Sequence, residues 1–586
     1  MSERQTARCE KEKPTRTAKE RLDARCGCMR NSVWEISFAF ITEVAIRIRD
    51  LYRGSFAMSY SSILYICIFL PAVILLYGIV PQRHRWKILL AASYAFFYLL
   101  SGKLVVYLIV STFSIHHMGL WLDSCKRTYT LQKKAADGDA KAALKAAYTK
   151  KRRGILLLGI LIHIGMLLFL KYFNFFGANV NHLLSLFSVP IQVPVLHLAV
   201  PLGISFYTMQ AVSYIVDVYQ GKMEADDNLG RLAIYMSFFP IIMEGPICRY
   251  SQTAVSLYEG KPLEYKNVTY GYQRIIWGLA KKIIIADRLD PLVKNIFENH
   301  AEYSGVIIAA GAVLYTFQLY MDFSGCIDIT IGAGEIFGVK IPENFRQPFF
   351  SRTASEFWRR WHITLGAWFK DYIFYPISLT KFVKNLGKKT RNRFGKHVGQ
   401  LVPSAFALFG VWFCNGLWHG TGWNYIFFGL YYFVLILLGN AFEPFIQKTA
   451  DTLHINRDGI PYQIFQRTKL LIVVFTGELF FRADGLRTGI DMFLSIFRDF
   501  HLSALTDGSL LKLGISSADF IAVFAGFIAV LAVGILHEKG ISIRDRAASW
   551  GIVRRWSFYY AAILIVIIFG AYGPGYRAVD LIYAGF

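Results

Sequence analysis

Charge is what this sequence has least of. Only 18% of its 586 residues are charged, against 54% hydrophobic and 16% aromatic, which is more apolar surface than one soluble core would normally bury. From Leu401 to Phe442 there is no Asp, Glu, Lys or Arg at all. At about 1.5 Å per residue that tract is too long for one crossing of ~30 Å of hydrocarbon and suits two. The runs 61–80, 154–170 and 519–536 are each long enough to cross once as helix. None has the alternation of a membrane β-strand, so helices are expected in preference to a barrel. The expected fold is an all-α polytopic membrane protein with roughly ten to twelve transmembrane or re-entrant helices.

Other absences narrow the function. The eight cysteines, at 9, 26, 28, 67, 125, 248, 326 and 414, are scattered, and Cys26 and Cys28 lack a second pair. Neither a zinc site nor a disulfide framework follows, and no metal is predicted. No repeat of 20–50 residues is visible, so an inverted-repeat transporter gains no support. A Gly-x-Ser-x-Gly elbow is missing, so a serine nucleophile is not indicated.

The N-terminus has no signal-peptide pattern. Residues 1–32 carry nine Lys/Arg and five Asp/Glu with few large apolar residues, a disordered-tail composition. The segment 33–47 is too short and interrupted to span and suits the membrane surface. Membrane character begins near Met58, the expected natural start. The expected organisation is therefore a basic extension, 1–57, followed by a single transmembrane domain, 58–586.

Basic residues exceed acidic ones, 64 to 40, for a net charge of +24. They gather beside apolar helices, which is the bias of membrane loops rather than a nucleic-acid surface. Between Lys126 and Arg153 there are ten Lys/Arg against two Asp, and from Lys370 to Lys396 a second basic run is opposed only by Asp371. The loops 126–153 and 381–396 are thus expected to be cytoplasmic, beside the anionic headgroups of the lipid bilayer. No nucleic-acid partner is expected.

Four stretches carry groups able to do chemistry. In 345–380, Thr353 and Glu356 fit a capping box that starts a helix. At helical spacing, Phe357, Trp361, Leu365 and Trp368 share one face and Arg359, His362, Gly366 and Lys370 the other. Arg359, Arg360 and Lys370 suit phosphate groups. An interfacial helix with snorkelling arginines and an incidental His362 would read the same way.

In 411–431, His419 is the one residue between Gln400 and Glu443 that titrates near neutral pH. An ionisable group in such a tract is a functional candidate by default. Gly416, Gly420 and Gly422 bracket it and predict a bend. Trp418 and Trp423 leave open an interfacial turn in which the histidine merely bonds a carbonyl. A neutral imidazole suits taking a proton from an alcohol as it attacks a thioester. Asn415 and Trp418 beside His419, and Trp361 beside His362, are candidates to contact substrate. In 318–335, Asp322, Ser324 and Asp328 sit among small residues, where they either orient substrate or brace helices. In 239–250, Glu244 and Arg249 flank a Gly-Pro break, with a structural pair and a functional role equally open.

In order along the chain, PLGISFYTMQAVSYIVDVY (201–219), FFPIIMEGPICRY (238–250), MDFSGCIDITIGAGEIFG (321–338), PENFRQPFFSRTASEFWRRWHITLGAWFKDYIFYPI (342–377), GLWHGTGWNYIFFGLYYF (416–433) and ELFFRADGL (478–486) resemble motifs of the bacterial membrane-bound O-acyltransferases. That branch includes alginate O-acetyltransferases and teichoic acid D-alanyltransferases. The resemblance implies a helical core around a tunnel, with His419 of the GLWHG motif tied to catalysis and His362 of the RWH motif as the second essential member. It implies no bound cofactor. The co-substrate would be a cytoplasmic acyl thioester, acetyl-coenzyme A or an acyl carrier protein, and the acceptor a cell-surface polysaccharide, with a secreted-side acyltransferase as a possible partner.

The sequence departs from the family pattern at Glu244, Cys326, Thr364 and the ISLTK that follows Pro376, which bears on the identity of acyl group and acceptor. The FFRAD stretch and the length resemble the alginate type, favouring acetyl over D-alanyl. A reading of another class is a lipid or polysaccharide flippase whose histidines relay protons.

Overall fold

The low charge and long apolar runs leave the backbone one way to satisfy its own hydrogen bonds in lipid, which is helix. In the computed structural model, which describes residues 58–572, every regular element among the described residues is helical. The expectations for 1–57, including the surface segment 33–47 and the start at Met58, lie outside the described residues.

The helices that frame the site are α1 (Gln82–Ser101), α2 (Val105–Ala135), α3 (Gly138–Leu167), α4 (Phe173–Leu186), α5 (Ile204–Gln220), α6 (Tyr265–Leu279), α7 (Asp287–Glu298) and α8 (Gly305–Ile336). They continue through α9 (Ala354–Arg360), α10 (Ile363–Phe369), α11 (Lys381–His419), α12 (Trp423–Thr452), α13 (Ile460–Arg482), α14 (Ser517–Glu538) and α15 (Ile552–Phe569). Seven helical stretches among the described residues are long and apolar enough to cross a membrane. On α14, Ile521, Phe524, Ile528 and Leu531 are all exposed. Their spacing makes one apolar stripe that only lipid would cover.

Other apolar segments are buried inside the protein instead. The 193–218 run becomes an irregular approach followed by α5, nearly all of whose residues are buried. The segment 239–249 has no helix yet is buried throughout.

The charge-free tract folds as expected into two long helices, α11 and α12, joined at Gly420–Gly422. The chain turns at Gly420–Gly422 as expected, and the glycines also bring the two helices together. A Cβ on Gly416 would lie 2.4 Å from the carbonyl oxygen of Tyr425, and one on Gly429 would lie 2.2 Å from that of Trp412. The two helices therefore cross backbone against backbone, as small residues permit in membranes. Gly420 has an extended backbone that any residue adopts, φ −179°, but a side chain there would strike the Tyr425 ring.

Neither basic segment is an irregular loop. Residues 126–153 prolong α2 and α3 into a helical hairpin that turns at Ala136–Asp137, because their alanines and lysines are strong helix formers. Residues 381–394 form a basic helical arm that meets the apolar part of α11 at a kink, where Gly395 has φ 83°.

The central pillar is α8, most of whose 32 residues are buried. Against it lie α6, α7 and the π-helical turn Ala280–Ala286 between them. An extra residue in a π turn lets consecutive side chains face inward, and Lys281 and Lys282 both do. Lys282 Nζ lies 2.8 Å from Asp322 and 2.8 Å from Asp287. Lys281 Nζ lies 2.6 Å from Asp328 and donates to Ser324 Oγ at 2.9 Å. Arg274 completes the ladder, 2.9 Å from Asp328 and 2.5 Å from Glu343.

Candidate active site

Asn344, which no sequence pattern singled out, organises the ground under His362. It is fully buried, in the irregular chain between α8 and α9. Its Oδ1 accepts from the Thr364 backbone N–H at 3.0 Å and the Thr364 hydroxyl at 2.9 Å, while its own carbonyl accepts from Ile363 N–H at 2.9 Å. Those N–H groups are the ones a helix start leaves without internal partners, so Asn344 caps α10 from outside. The helix expected to run on from Thr353 consequently breaks at Trp361–His362. His362 takes a left-handed conformation, φ 47°, at a cost of about 1–2 kcal/mol for a residue with a Cβ.

The expected polar face bearing Arg359, His362, Gly366 and Lys370 is therefore divided between two helices, while Phe357, Trp361, Leu365 and Trp368 are all buried as their spacing required. The capping box is half formed. Thr353 Oγ1 accepts from Glu356 N–H at 3.1 Å, but the Glu356 carboxylate accepts from Arg352 N–H at 2.9 Å rather than from Thr353.

His362 Nδ1 lies 3.2 Å from Asn344 Oδ1. Because that oxygen also accepts from two Thr364 donors, the imidazole is the donor here, which leaves Nε2 as its basic nitrogen. His419 is the last residue of α11, and its Nδ1 donates back to the Asn415 carbonyl at 2.7 Å. The same tautomer follows. Both rings rest against Trp418, His362 at 5.6 Å and His419 at 4.9 Å between centroids. Both are buried, at 3% and 4% exposure.

Aromatic walls complete the chamber. Phe323 of α8 stands edge-on to His362 at 4.9 Å, Phe206 of α5 meets Trp418 at 5.6 Å, and Phe428 of α12 and Phe481 of α13 meet His419 at 5.8 and 5.2 Å. The C-terminal FFRAD stretch is tied to this chamber, because Asn424 donates to the Ala483 carbonyl at 3.1 Å.

The end of α11 and the start of α10 thus bring His419, His362, Asn415 and Trp418 together, walled by α5, α8, α12 and α13. The remaining sequence candidates lie elsewhere. Asp322, Ser324 and Asp328 belong to the ion ladder described above, where they brace α8 against α6 and the Ala280–Ala286 turn, and Ser324 and Asp328 also line a cavity with Arg274 and Lys281. Arg360 pairs with Glu356 at 3.0 Å and Glu538 at 2.6 Å, so it is committed to carboxylates, and Arg359 is exposed. Trp361 packs among Tyr320, Phe345 and Phe357. Glu244 is buried in the 239–249 segment, and Arg249 pairs with Asp371 at 3.0 Å and lies over the Tyr372 ring. The pairing of Glu244 with Arg249 is thereby replaced.

A second residue passed over in the sequence is Lys171, on the π-helical turn Leu168–Tyr172 between α3 and α4. Its Nζ donates to the Trp418 carbonyl at 3.2 Å, and the Tyr172 hydroxyl donates to the Leu417 carbonyl. Trp423 Nε1 donates to Asn179 Oδ1 at 3.0 Å on the same side. The readable signal was a lone cation within 154–176, an otherwise apolar run.

An all-helical membrane protein with two oriented imidazoles in a buried aromatic chamber has the parts for proton transfer at a site shielded from water. The sequence profile of the MBOAT, membrane-bound O-acyltransferase family, matches residues 226–477. The probable alginate O-acetylase of Azotobacter vinelandii is 30% identical over 462 residues, 78% of this chain and 82% of that protein. The peptidoglycan O-acetyltransferase of Helicobacter pylori is 30% identical, covering 51% of this chain and 57% of that one. The teichoic acid D-alanyltransferase of Bacillus subtilis is 32% identical, covering 42% and 60%. This chain belongs to the membrane-bound O-acyltransferase family and is an acyltransferase enzyme.

Proposed function

We propose that this protein O-acetylates a cell-surface polysaccharide, with His419 as general base and His362 as its partner. The acyl group comes from a thioester, acetyl-coenzyme A or an acyl carrier protein, and reaches the polymer directly or by way of a secreted-side acyltransferase. The observation that carries the reading is the 2.7 Å bond from His419 Nδ1 to the Asn415 carbonyl. It holds the ring in the tautomer whose Nε2 accepts a proton.

The step is direct transfer in a ternary complex. The acceptor hydroxyl oxygen attacks the thioester carbonyl carbon while its proton passes to His419 Nε2. Collapse of the tetrahedral intermediate breaks the C–S bond, and the departing thiolate takes that proton, so no net charge accumulates. His362, held by Asn344, orients the attacking hydroxyl. The aromatic walls exclude water, which would otherwise intercept the thioester.

The basic helical hairpin 126–153 and the arm 381–396 lie on the cytoplasmic side in this reading, by the positive-inside rule. From the kink at Gly395 the apolar part of α11 runs to His419, a rise of about 36 Å at helical pitch. That length supports a site toward the far face, where a polysaccharide acceptor is handled. The wide coverage of the alginate-type relatives, 78% of the chain against 42% for the D-alanyl type, supports acetyl.

Mass spectrometry of the surface polymer from cells with wild-type protein, without it, and with His419→Ala tests the proposal. Loss of acetyl in both deficient strains is expected. An inserted His419→Ala protein that still acetylates removes the base assignment and favours a flippase. Loss of D-alanyl instead of acetyl removes the choice of acyl group.

A further inference from the structure

The reaction just described places negative charge on the carbonyl oxygen of the acyl group, while the positive charge taken up by His419 sits at Nε2 beside the attacking oxygen, so the carbonyl oxygen still needs a donor of its own. Lys171 is such a donor. It lies in the 138–186 stretch, one of the seven able to cross a membrane, and is half-buried. Its ammonium has three donor hydrogens. Among the described residues it makes one hydrogen bond, to the Trp418 carbonyl at 3.2 Å, and lies over the Tyr172 ring at 5.5 Å. No carboxylate among the described residues pairs with it, whereas Lys281 and Lys282 are each held by carboxylates. Two N–H donors therefore remain at the end of α11, where the bonded carbonyl belongs to the residue before His419.

Capping the end of α11 does not account for a charge here. The Tyr172 hydroxyl already serves the neighbouring Leu417 carbonyl, and a neutral donor is far cheaper to bury than an ammonium. A fixed cation is of use where negative charge develops only in the transition state, in a site shielded from water.

We propose that Lys171 is a catalytic residue that binds the oxyanion of the tetrahedral intermediate. The hydroxyl oxygen bonds to the carbonyl carbon, its proton goes to His419, and the carbonyl π pair moves onto oxygen against the Lys171 ammonium. When that pair returns, the C–S bond breaks and the thiolate takes the His419 proton. Lys171 stays protonated throughout. The inference rests on the proposed role of His419.

The test uses the full chain in cells, reading labelled acetyl incorporated into the surface polymer per molecule of inserted, monodisperse protein. Lys171→Met is expected to lower the rate about 100-fold or more, the usual effect of losing one oxyanion donor. Lys171→Arg, which keeps the charge, is expected to recover at least about ten-fold over Met, since a charge-assisted bond is re-formed. Tyr172→Phe, which removes the other bond to the same helix end, is expected to cost only a few-fold. A Lys171→Met rate within about three-fold of wild type, with His419→Ala inactive, overturns this inference and leaves the base assignment standing. Equal losses in Lys171→Met and Tyr172→Phe, or no recovery with Arg, also overturn it, by reducing Lys171 to a helix cap. An active His419→Ala removes the base assignment itself.

Discussion

Two polar clusters among the described residues are built on opposite principles. Along α8, Arg274, Lys281 and Lys282 meet Asp287, Asp322, Asp328 and Glu343 in ion pairs of 2.5–2.9 Å. Around Trp418, by contrast, the histidines are oriented through Nδ1 by an amide oxygen and a backbone carbonyl. The first cluster spends its charges on one another, so it fixes helices. The second orients neutral rings through uncharged acceptors. Buried polar residues are thus sorted by what holds them, paired charges or neutral acceptors, not by how polar they are.

The sharpest way to break that contrast is at the chamber. His419→Ala is expected to lower acyl transfer at least about 100-fold, the scale of a lost general base, and His362→Ala to follow with a smaller loss. Both proteins should insert normally, which thermal unfolding in detergent would check. The ladder should behave the other way round. Lys282→Met leaves Asp322 and Asp287 without their cation and is expected to cost about 3–5 kcal/mol of stability. The yield of inserted protein should fall while the rate per surviving molecule is kept. If the rate falls and the yield does not, the ladder is part of the chemistry.

Asn344→Ala sits between the two clusters in kind. It removes a buried acceptor shared by His362 and Thr364, for about 1–3 kcal/mol, and frees the His362 ring, so activity should drop about ten-fold as for lost supporting contacts elsewhere. Asn344→Asp would restore the acceptor and show which loss dominates. The smallest effect is expected at Arg360→Gln. Its pairs with Glu356 and Glu538 are partly exposed and should be worth about 0–1 kcal/mol, with acetylation unchanged unless Arg360 meets a phosphate.

Where the sequence was legible, a strong physical constraint acted on a continuous segment. The absence of charge from Leu401 to Phe442 dictated two helices, and a single titratable group within it marked His419. Legibility failed where the deciding partner was remote or irregular. The break at His362 depends on Asn344, 18 residues earlier in chain without periodicity. The charge of 126–153 suggested a loop, although its alanines hold it helical. The ion pairs of Asp322 and Asp328 were not legible because the cations that meet them come from another segment, 274–282. Lys171 was absorbed into an apolar run, since nothing local reveals that its turn meets the end of α11.

The crossing of α11 and α12 at Gly416 and Gly429 bears on how such a protein changes its substrate. Proton transfer tolerates errors well under 1 Å, and two backbones in contact leave no compliant layer to absorb a new side chain. The hairpin carrying His419 therefore acts as a datum against which everything else is set. Acceptance of a different polymer or acyl group has to come from the facing walls, through residues such as Phe206, Phe323 and Phe481, each contributed by a different helix. Those positions can be resized one at a time while the α11–α12 crossing that carries His419 keeps its place.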